Sequence, residues 1–204
     1  MNSLVSCRAR GFTLLELLIT IAIVVVLATL ALPGMQSFYD RERLIGATEQ
    51  IYSHLQQARI EAIARSRPIY TQFVVSSGAL NYGISQNENC VPTQTTLTAT
   101  DACVLIIDSG DGSSSATNDN ADVSQNDIVL NSFDIDSFNG ISVDSGSVQI
   151  RFEPLRGVAS AGSVIQLSSR PPFDRKLNIN VGLLGQISIC SPDDSVLGYS
   201  PCGG

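Results

Sequence analysis

Twenty-one consecutive residues, Phe12 to Leu32, carry a single charge, that of Glu16. A hydrocarbon core about 30 Å thick needs roughly 20 helical residues to cross it, so the run predicts a membrane-spanning helix. An ionisable side chain in that setting costs on the order of 2.5–3.5 kcal/mol even on lenient insertion scales. Glu16 therefore calls for a compensating partner. Arg8 and Arg10 stand just before the run, with no acid among the first eleven residues. The positive-inside tendency then holds Met1 to Gly11 on the cytoplasmic side and sends the rest outward. An ordinary secretory signal has an apolar core of about 7–15 residues and is cut after it, at a small-residue site. Here the core is longer and closes on Leu30-Ala31-Leu32-Pro33-Gly34, a poor match. A plain uncleaved anchor accounts for the length but leaves Glu16 and the Gly11-Phe12 junction unexplained.

The stretch Arg10-Gly11-Phe12-Thr13-Leu14-Leu15-Glu16-Leu17-Leu18 resembles the class III leader of type IV pilins and type II secretion pseudopilins. The resemblance implies that a prepilin peptidase cuts between Gly11 and Phe12 on the cytoplasmic face and N-methylates Phe12. It also implies that Glu16 neutralises the N-terminal amine of a neighbouring subunit inside a filament. That role fits the physics, because a buried charge is tolerable when paired, and removing one partner of such a pair costs about 3–5 kcal/mol.

Beyond the apolar run, Pro33-Gly34 is expected to kink or locally melt the helix, since proline lacks the N–H donor and its ring clashes with the preceding turn. Leu44, Ile51, Leu55, Ala58 and Ala62 then recur at the period of an amphipathic helix, with Arg41, Glu42, Glu49, Gln56, Arg59 and Glu61 between them. Pro68 is the expected stop, with Arg65 and Arg67 in the last turn, where cations suit the helix dipole. A helix from Phe12 to Arg67 would be about 80 Å long at 1.5 Å per residue. Two separate helices joined at Pro33 are the alternative.

After Pro68 the apolar residues fall into short alternating runs. Candidate strands are 69–75, 104–107, 148–152, 164–167, 177–181 and 186–190. The last two flank Gly182-Leu183-Leu184-Gly185 and read as one hairpin. About 135 residues suffice for one core, a two-sheet head with the helix over one face. Phe152-Glu153-Pro154-Leu155-Arg156-Gly157, the hairpin Leu177 to Cys190, and Leu55 to Ile63 in the helix resemble the GspH/FimT group of minor pilins and pseudopilins. The resemblance covers most of the chain apart from Asn87 to Asn126. It implies an α+β, type IV pilin-like fold: a leader at 1–11, a membrane or filament-core helix at 12–33, a stalk helix at 34–67 and a β-rich head at 68–204.

Cys7 falls in the removable leader, which leaves Cys90, Cys103, Cys190 and Cys202 in the exported part. Four cysteines allow three pairings. Cys90 with Cys103 and Cys190 with Cys202 is preferred, because each bond closes a short polar loop containing proline, and a loop of this size contributes on the order of 3 kcal/mol in the chain-entropy model. A zinc site is disfavoured by the wide spacing and by the placement of the only histidine, His54, in the helix.

Removing the two leader arginines takes the formal charge from −7 to −9, and from Pro68 onward five basic residues face fourteen acidic ones. Such a head repels nucleic-acid phosphates. Some members of the resembled group bind DNA through a Gly-Arg-x-Arg motif near the C-terminus. The stretch here is Gly185-Gln186-Ile187-Ser188, without either arginine. Arg170, Arg175 and Lys176, around Pro171-Pro172-Phe173, form a weak candidate for phosphate contact, read more simply as a solvated loop. The acidic segment 108–127 spaces carboxylates and amides like hard calcium ligands, but Val123 stands where an EF-hand needs glycine and no closing glutamate follows. Its simpler reading is a soluble surface loop. No catalytic constellation accompanies His54, and Asp193-Asp194 suits a turn after Pro192. No enzymatic activity and no cofactor are expected.

Three functions follow, in order. The first is a minor pilin that helps initiate and assemble a type IV pilus. The second is a type II secretion pseudopilin of the H type. The third is a DNA-binding pilin for natural transformation. For the first two the resemblance implies the inner membrane with the head in the periplasm, then a pilus or a periplasmic pseudopilus. The partners implied are inner-membrane lipid, the prepilin peptidase, the assembly platform, other minor pilins and the major pilin. The extended head with its C-terminal disulfide favours the pilus.

Overall fold

The protein is described by a computed structural model. It covers residues 12–76, 79–97, 99–106, 128–130, 132–134, 140–144 and 148–203, without the side chains of 30–34, 76, 79, 128–130 and 134. Gly11, Cys7 and the acidic segment 108–127 lie outside the described residues. The chain divides into two compact units, one up to Tyr39 and one from Asp40 to Gly204.

One helix, α1 (Leu14–Arg65), contributes to both units. It starts where Thr13 caps it: the Thr13 Oγ1 accepts the Glu16 N–H at 3.2 Å, one of the donors that a first turn leaves unsatisfied. The helical pattern runs through Pro33 and Gly34; the bend expected there falls on 30–34, whose side chains lie outside the described residues. The helix ends at Arg65, two residues short of the expected Arg67. Ser66 takes φ +52°, the left-handed conformation that commonly closes a helix, and Pro68 follows. The Ser66 N–H turns back to the Ile63 carbonyl at 3.2 Å.

Among the described residues of the second unit ten strands follow. They are β1 (Ile69–Ser76), β2 (Ala79–Ser85), β3 (Val104–Ile106), β4 (Ile128–Leu130), β5 (Ser132–Asp134), β6 (Ile141–Val143), β7 (Val148–Phe152), β8 (Ser163–Ser169), β9 (Lys176–Val181) and β10 (Ile187–Cys190). They form two four-stranded sheets, ordered β5-β2-β1-β7 and β10-β9-β8-β6, and a two-stranded ribbon of β3 with β4. All pairings between them are antiparallel. The six expected strands are present, and the Leu177-to-Cys190 hairpin pairs Ile187 with Val181.

The helix face expected to be apolar is the core. Leu44, Ile51, Leu55, Ala58 and Ala62 are wholly buried, joined by Ala47 and Thr48. Thr48 is tolerated there because its hydroxyl donates to the Leu44 carbonyl at 2.7 Å. Against this face pack Ile69, Phe73, Tyr82, Ile150 and Phe152 of the first sheet and Ile165, Leu167, Leu177, Ile179 and Val181 of the second, in one continuous cluster. Strand alternation does the sorting: along β9 every second side chain is buried.

Two turns close onto the helix at one point. Gly157, at φ +60°, ends the Glu153-to-Gly157 turn, and Gly185, at φ +77°, ends the Gly182-to-Gly185 turn. Arg59 donates from Nε to the Gly157 carbonyl at 3.1 Å. A Cβ on Gly185 would stand 1.9 Å from that same carbonyl oxygen, whereas one on Gly182 would meet only the movable Gln186 side chain. Left-handed strain of about 1–2 kcal/mol and a backbone clash therefore add at Gly185. Gly185→Ala is expected to lower the apparent melting temperature of the full chain in detergent by roughly 10 °C. Gly182→Ala should shift it by less than about a quarter of that, both followed by circular dichroism.

Candidate functional site

The residues of the first unit that are described present apolar side chains on every side. Phe12 is 81% exposed, and Leu14, Leu15, Leu17, Leu18, Ile19, Ile21 and the residues up to Leu27 are all exposed. A monomer in water does not display a continuous apolar surface of this kind. Two hydroxyls among them are satisfied within the helix: that of Thr20 donates to the Leu17 carbonyl and that of Thr29 to the Val26 carbonyl, each at 2.8 Å. With its hydroxyls satisfied internally, this surface suits lipid or neighbouring helices. Among the described residues no helix is long and apolar enough to cross a membrane; within the apolar run the described side chains stop at Thr29, while the run itself reaches Leu32 in the sequence.

Glu16 sits in the first turn of α1. Its backbone N–H is the donor that Thr13 caps, so Thr13-Leu14-Leu15-Glu16 has the form of a capping box. The Thr13-x-x-Glu16 spacing is the sequence signal for this cap, a role for Glu16 beside the subunit contact expected of it. At this position a carboxylate faces the positive end of the helix dipole, a favourable setting by about 0.3–1 kcal/mol.

In the second unit both expected disulfides are present. Cys90 bonds Cys103 and Cys190 bonds Cys202. The first closes a loop held by the Val91 N–H on the Asp101 carbonyl at 2.7 Å and by Asn87 Nδ2 on the Thr100 carbonyl at 2.7 Å. The second closes the C-terminal loop, which fastens to α1 at two points. Arg41 donates to the Leu197 carbonyl at 2.8 Å, and the Tyr199 hydroxyl donates to Glu49 at 3.0 Å. Burial first, then the bond to Glu49 and its negative charge, push the Tyr199 hydroxyl up to about 12, with Arg41 pulling the other way and Glu42 adding to the rise. Val196 inserts into the core. These contacts join residues some 150 positions apart, and no local pattern announces them.

His54 lies against β2 and β5. Its Nδ1 is 2.6 Å from the Tyr82 hydroxyl, and its ring stacks on Phe133 at 3.9 Å. Burial lowers its pKa below 6.5, and burial likewise raises that of Tyr82. The pair is a packing feature of the helix–sheet interface. Arg170, Arg175 and Lys176 each have a separate contact, the last through its backbone. The Arg170 side chain lies along Gly140 and Arg175 stacks over Phe173 at 5.4 Å, while the Lys176 N–H meets Ser195. Among the described residues no group of three or more His, Cys, Asp or Glu is placed to hold a metal ion.

A helix with a capped glutamate and an unpartnered apolar first half, followed by a disulfide-bonded head of antiparallel sheets, defines a type IV pilin-like subunit. The chain belongs to the family described as type II transport protein GspH, which matches residues 47–185, and is a GspH/FimT-like pilin. Residues 6–32 match the prokaryotic N-terminal methylation motif, the hallmark of a membrane-anchored pilin. The chain is 27% identical over 108 residues to the type IV major alpha-pilin of Moraxella bovis, across 53% of this chain and 67% of that protein. The crystal structure of the Pseudomonas aeruginosa type IV minor pilin FimU aligns with a TM-score of 0.40 at 15% identity, over 74% of this chain and 91% of that one. Proteins of the pilin family are structural subunits that assemble with other pilins in a filament.

The titration of His54 yields a measurable consequence. Its folded pKa lies below the unfolded value near 6.5, so the unfolded chain takes up the proton first as pH falls. The stabilisation is complete above that unfolded value and is lost below it, by at most about 1.4 kcal/mol per pH unit until the folded group also titrates. Denaturation between pH 7.5 and 5 should show a steeper stability loss for the wild type than for His54→Gln, and parallel curves would contradict this.

Proposed function

We propose that this chain is a minor pilin that takes part in initiating and assembling a type IV pilus. The observation that carries the reading is the helical segment from Phe12 to Thr29, apolar on every face and bearing Glu16 alone as its charge. In this reading the segment through Leu32 first spans the inner membrane with the head in the periplasm, and later packs among the helices of a filament. A prepilin peptidase cuts between Gly11 and Phe12 and methylates the new amine. Glu16 then pairs with the N-terminal amine of an adjacent subunit, and Pro33 and Gly34 provide the place where the helix yields. Other minor pilins and the major pilin are the neighbours, and the inner-membrane assembly platform is the point of entry.

The likeness to a type IV major pilin and the C-terminal disulfide loop support the pilus. The family's description as a type II transport protein supports the second reading, a pseudopilin of the H type in a secretion system. DNA uptake has less support, because the hairpin stretch Gly185-Gln186-Ile187-Ser188 lacks basic residues and the Arg175 guanidinium stacks on Phe173 of its own loop. Arg170, Arg175 and Lys176 remain the residues of a weak DNA contact on that third reading.

Glu16→Ala is expected to be processed to normal mature length yet to disappear from sheared filaments. The drop in incorporation should be at least about 100-fold, as the loss of roughly 3 kcal/mol of pairing implies; normal incorporation would remove the role given to Glu16. Gly11→Val should leave a membrane-retained form whose mass still includes residues 1–11, whereas a mature product of unchanged length would refute the role given to Gly11 in processing.

A further inference from the structure

Around the last turns of α1 the second unit leaves a group of leucines uncovered. Leu155 is 94% exposed, Leu184 73% and Leu183 62%, and Ile60 and Ile63 of the helix are exposed as well. Three elements meet there: the end of α1, the turn after β7 and the β9–β10 turn. Arg59 donates to the Gly157 carbonyl, Gly185 closes on that same oxygen, and the Ile63 Cδ1 lies against Gly157. The turns that carry the leucines are braced. The Gly157 N–H donates to the Glu153 carbonyl at 2.9 Å, the Gly185 N–H to the Gly182 carbonyl at 2.8 Å and the Ala159 N–H to the Leu183 carbonyl at 3.1 Å. Apolar side chains presented on a braced backbone cost less ordering when a partner covers them. Scattered single leucines on a surface need no explanation, but a cluster of this kind marks an interaction site.

Its charge limits what can cover it. The two carboxylates on these elements are each bridged by an arginine, Glu61 by Arg65 at 2.6 Å and Glu153 by Arg151 at 3.1 Å. Among the described residues no carboxylate bridges Arg59, or Arg156, which is exposed next to Leu155. The face is therefore apolar with an unmatched guanidinium at its rim. It fits a protein surface that is apolar with a carboxylate opposite. Phosphate-bearing surfaces, whether lipid headgroups or nucleic acid, fit less well. They repel the head as a whole, in which five basic residues face fourteen acidic ones from Pro68 onward.

A second copy of this chain does not supply the counterpart. Its acidic loop 191–202, with Asp193 and Asp194, is flanked by Lys176, whose N–H donates to Ser195 at 3.2 Å and whose carbonyl accepts from Ser191 at 3.3 Å. Docking of one surface of a chain on a different surface of its own copy would also propagate a filament of that chain alone, whereas a subunit that helps begin a filament gives way to others. We propose that this face docks the head of a different pilin-family subunit, through apolar side chains on that subunit and a carboxylate set against Arg156. The proposal rests on the filament-subunit reading and names the chemistry of one neighbour's contact surface. The rim pair sets orientation and excludes wrong partners, while covering the leucines supplies most of the affinity.

The test places the photo-crosslinking residue p-benzoylphenylalanine at Leu184 of the full chain in its native cells, where an exposed side chain can be replaced without touching the core. The expected product is an adduct to one different pilin-family chain, with Asp or Glu in the crosslinked peptide. Arg156→Glu should lower its yield roughly fivefold, and replacing that peptide's carboxylate by arginine in the same cells should restore it. An adduct to a second copy of this chain, to lipid, to DNA or to a protein outside the pilin family overturns the proposal, as does a yield that Arg156→Glu leaves unmoved. Absence of the adduct in chains recovered from sheared filaments also overturns it, while that recovery leaves the pilus reading standing. The expected adduct on a chain that never enters filaments upholds the docking face and removes the pilus reading instead.

Discussion

The head depends on how closely two sheets can approach one helix. The buried face of α1 alternates large with small, with Leu44, Ile51 and Leu55 separated and followed by Ala47, Ala58 and Ala62, so the sheets close down on the alanines while the larger side chains fill the space between them. Both sheets share that single cluster. Where the helix nears its end, the approach becomes close enough that Gly157 and Gly185 must lack a Cβ, and Arg59 supplies the hydrogen bond that registers the two turns on the helix. The motif residues between Phe152 and Gly157 thus do structural work at a point of convergence, and the same convergence brings their exposed leucine beside those of the hairpin.

What was legible in the sequence was periodic. The apolar stripe of α1 was read residue by residue because a 3.6-residue period survives any detail of packing, and β1, β7, β8 and β9 were read because their alternation is uninterrupted. β2 was missed although it is a central strand of its sheet, since Asn81 and Gly83 break its apolar pattern; Gly83 pairs opposite Gln72 and Ser132. The three-residue strands β4, β5 and β6 are too short to carry any period at all. The disulfides were legible through compartment and loop length. The clip of the C-terminal loop onto Arg41 and Glu49 was not, because one hydrogen bond to a carbonyl and one to a carboxylate leave no trace in local composition.

The two halves of α1 answer to different surroundings. From Asp40 onward it is amphipathic, with its apolar side used up inside its own unit. Up to Leu27 its apolar side chains are exposed among the described residues, and Thr20 and Thr29 donate to the Leu17 and Val26 carbonyls one turn back. Folding of the second unit therefore does not satisfy the first, and the free energy that remains to be gained lies between molecules. A subunit built in this way suits the proposed reading, in which it is held in a membrane and then transferred to a filament.

Glu16 limits how that transfer can proceed. At the first turn of α1 the helix dipole offsets a carboxylate by about 0.3–1 kcal/mol, and up to about 2 kcal/mol in favourable buried geometry. That falls short of the cost of an unpaired charge in apolar surroundings. The remainder must come from a cation, and among the residues from Phe12 to Leu32 there is none. Before cleavage Phe12 is an amide in mid-chain; cleavage at Gly11-Phe12, on the proposed reading, makes its nitrogen an amine that carries positive charge at the end of the same helix. On that reading processing creates a counter-charge at the end of the apolar segment itself, whose own residues include no cation. On the proposed reading, electrostatics sets the order of events: the leader leaves before helices of this kind pack together with their glutamates neutralised by the new amine.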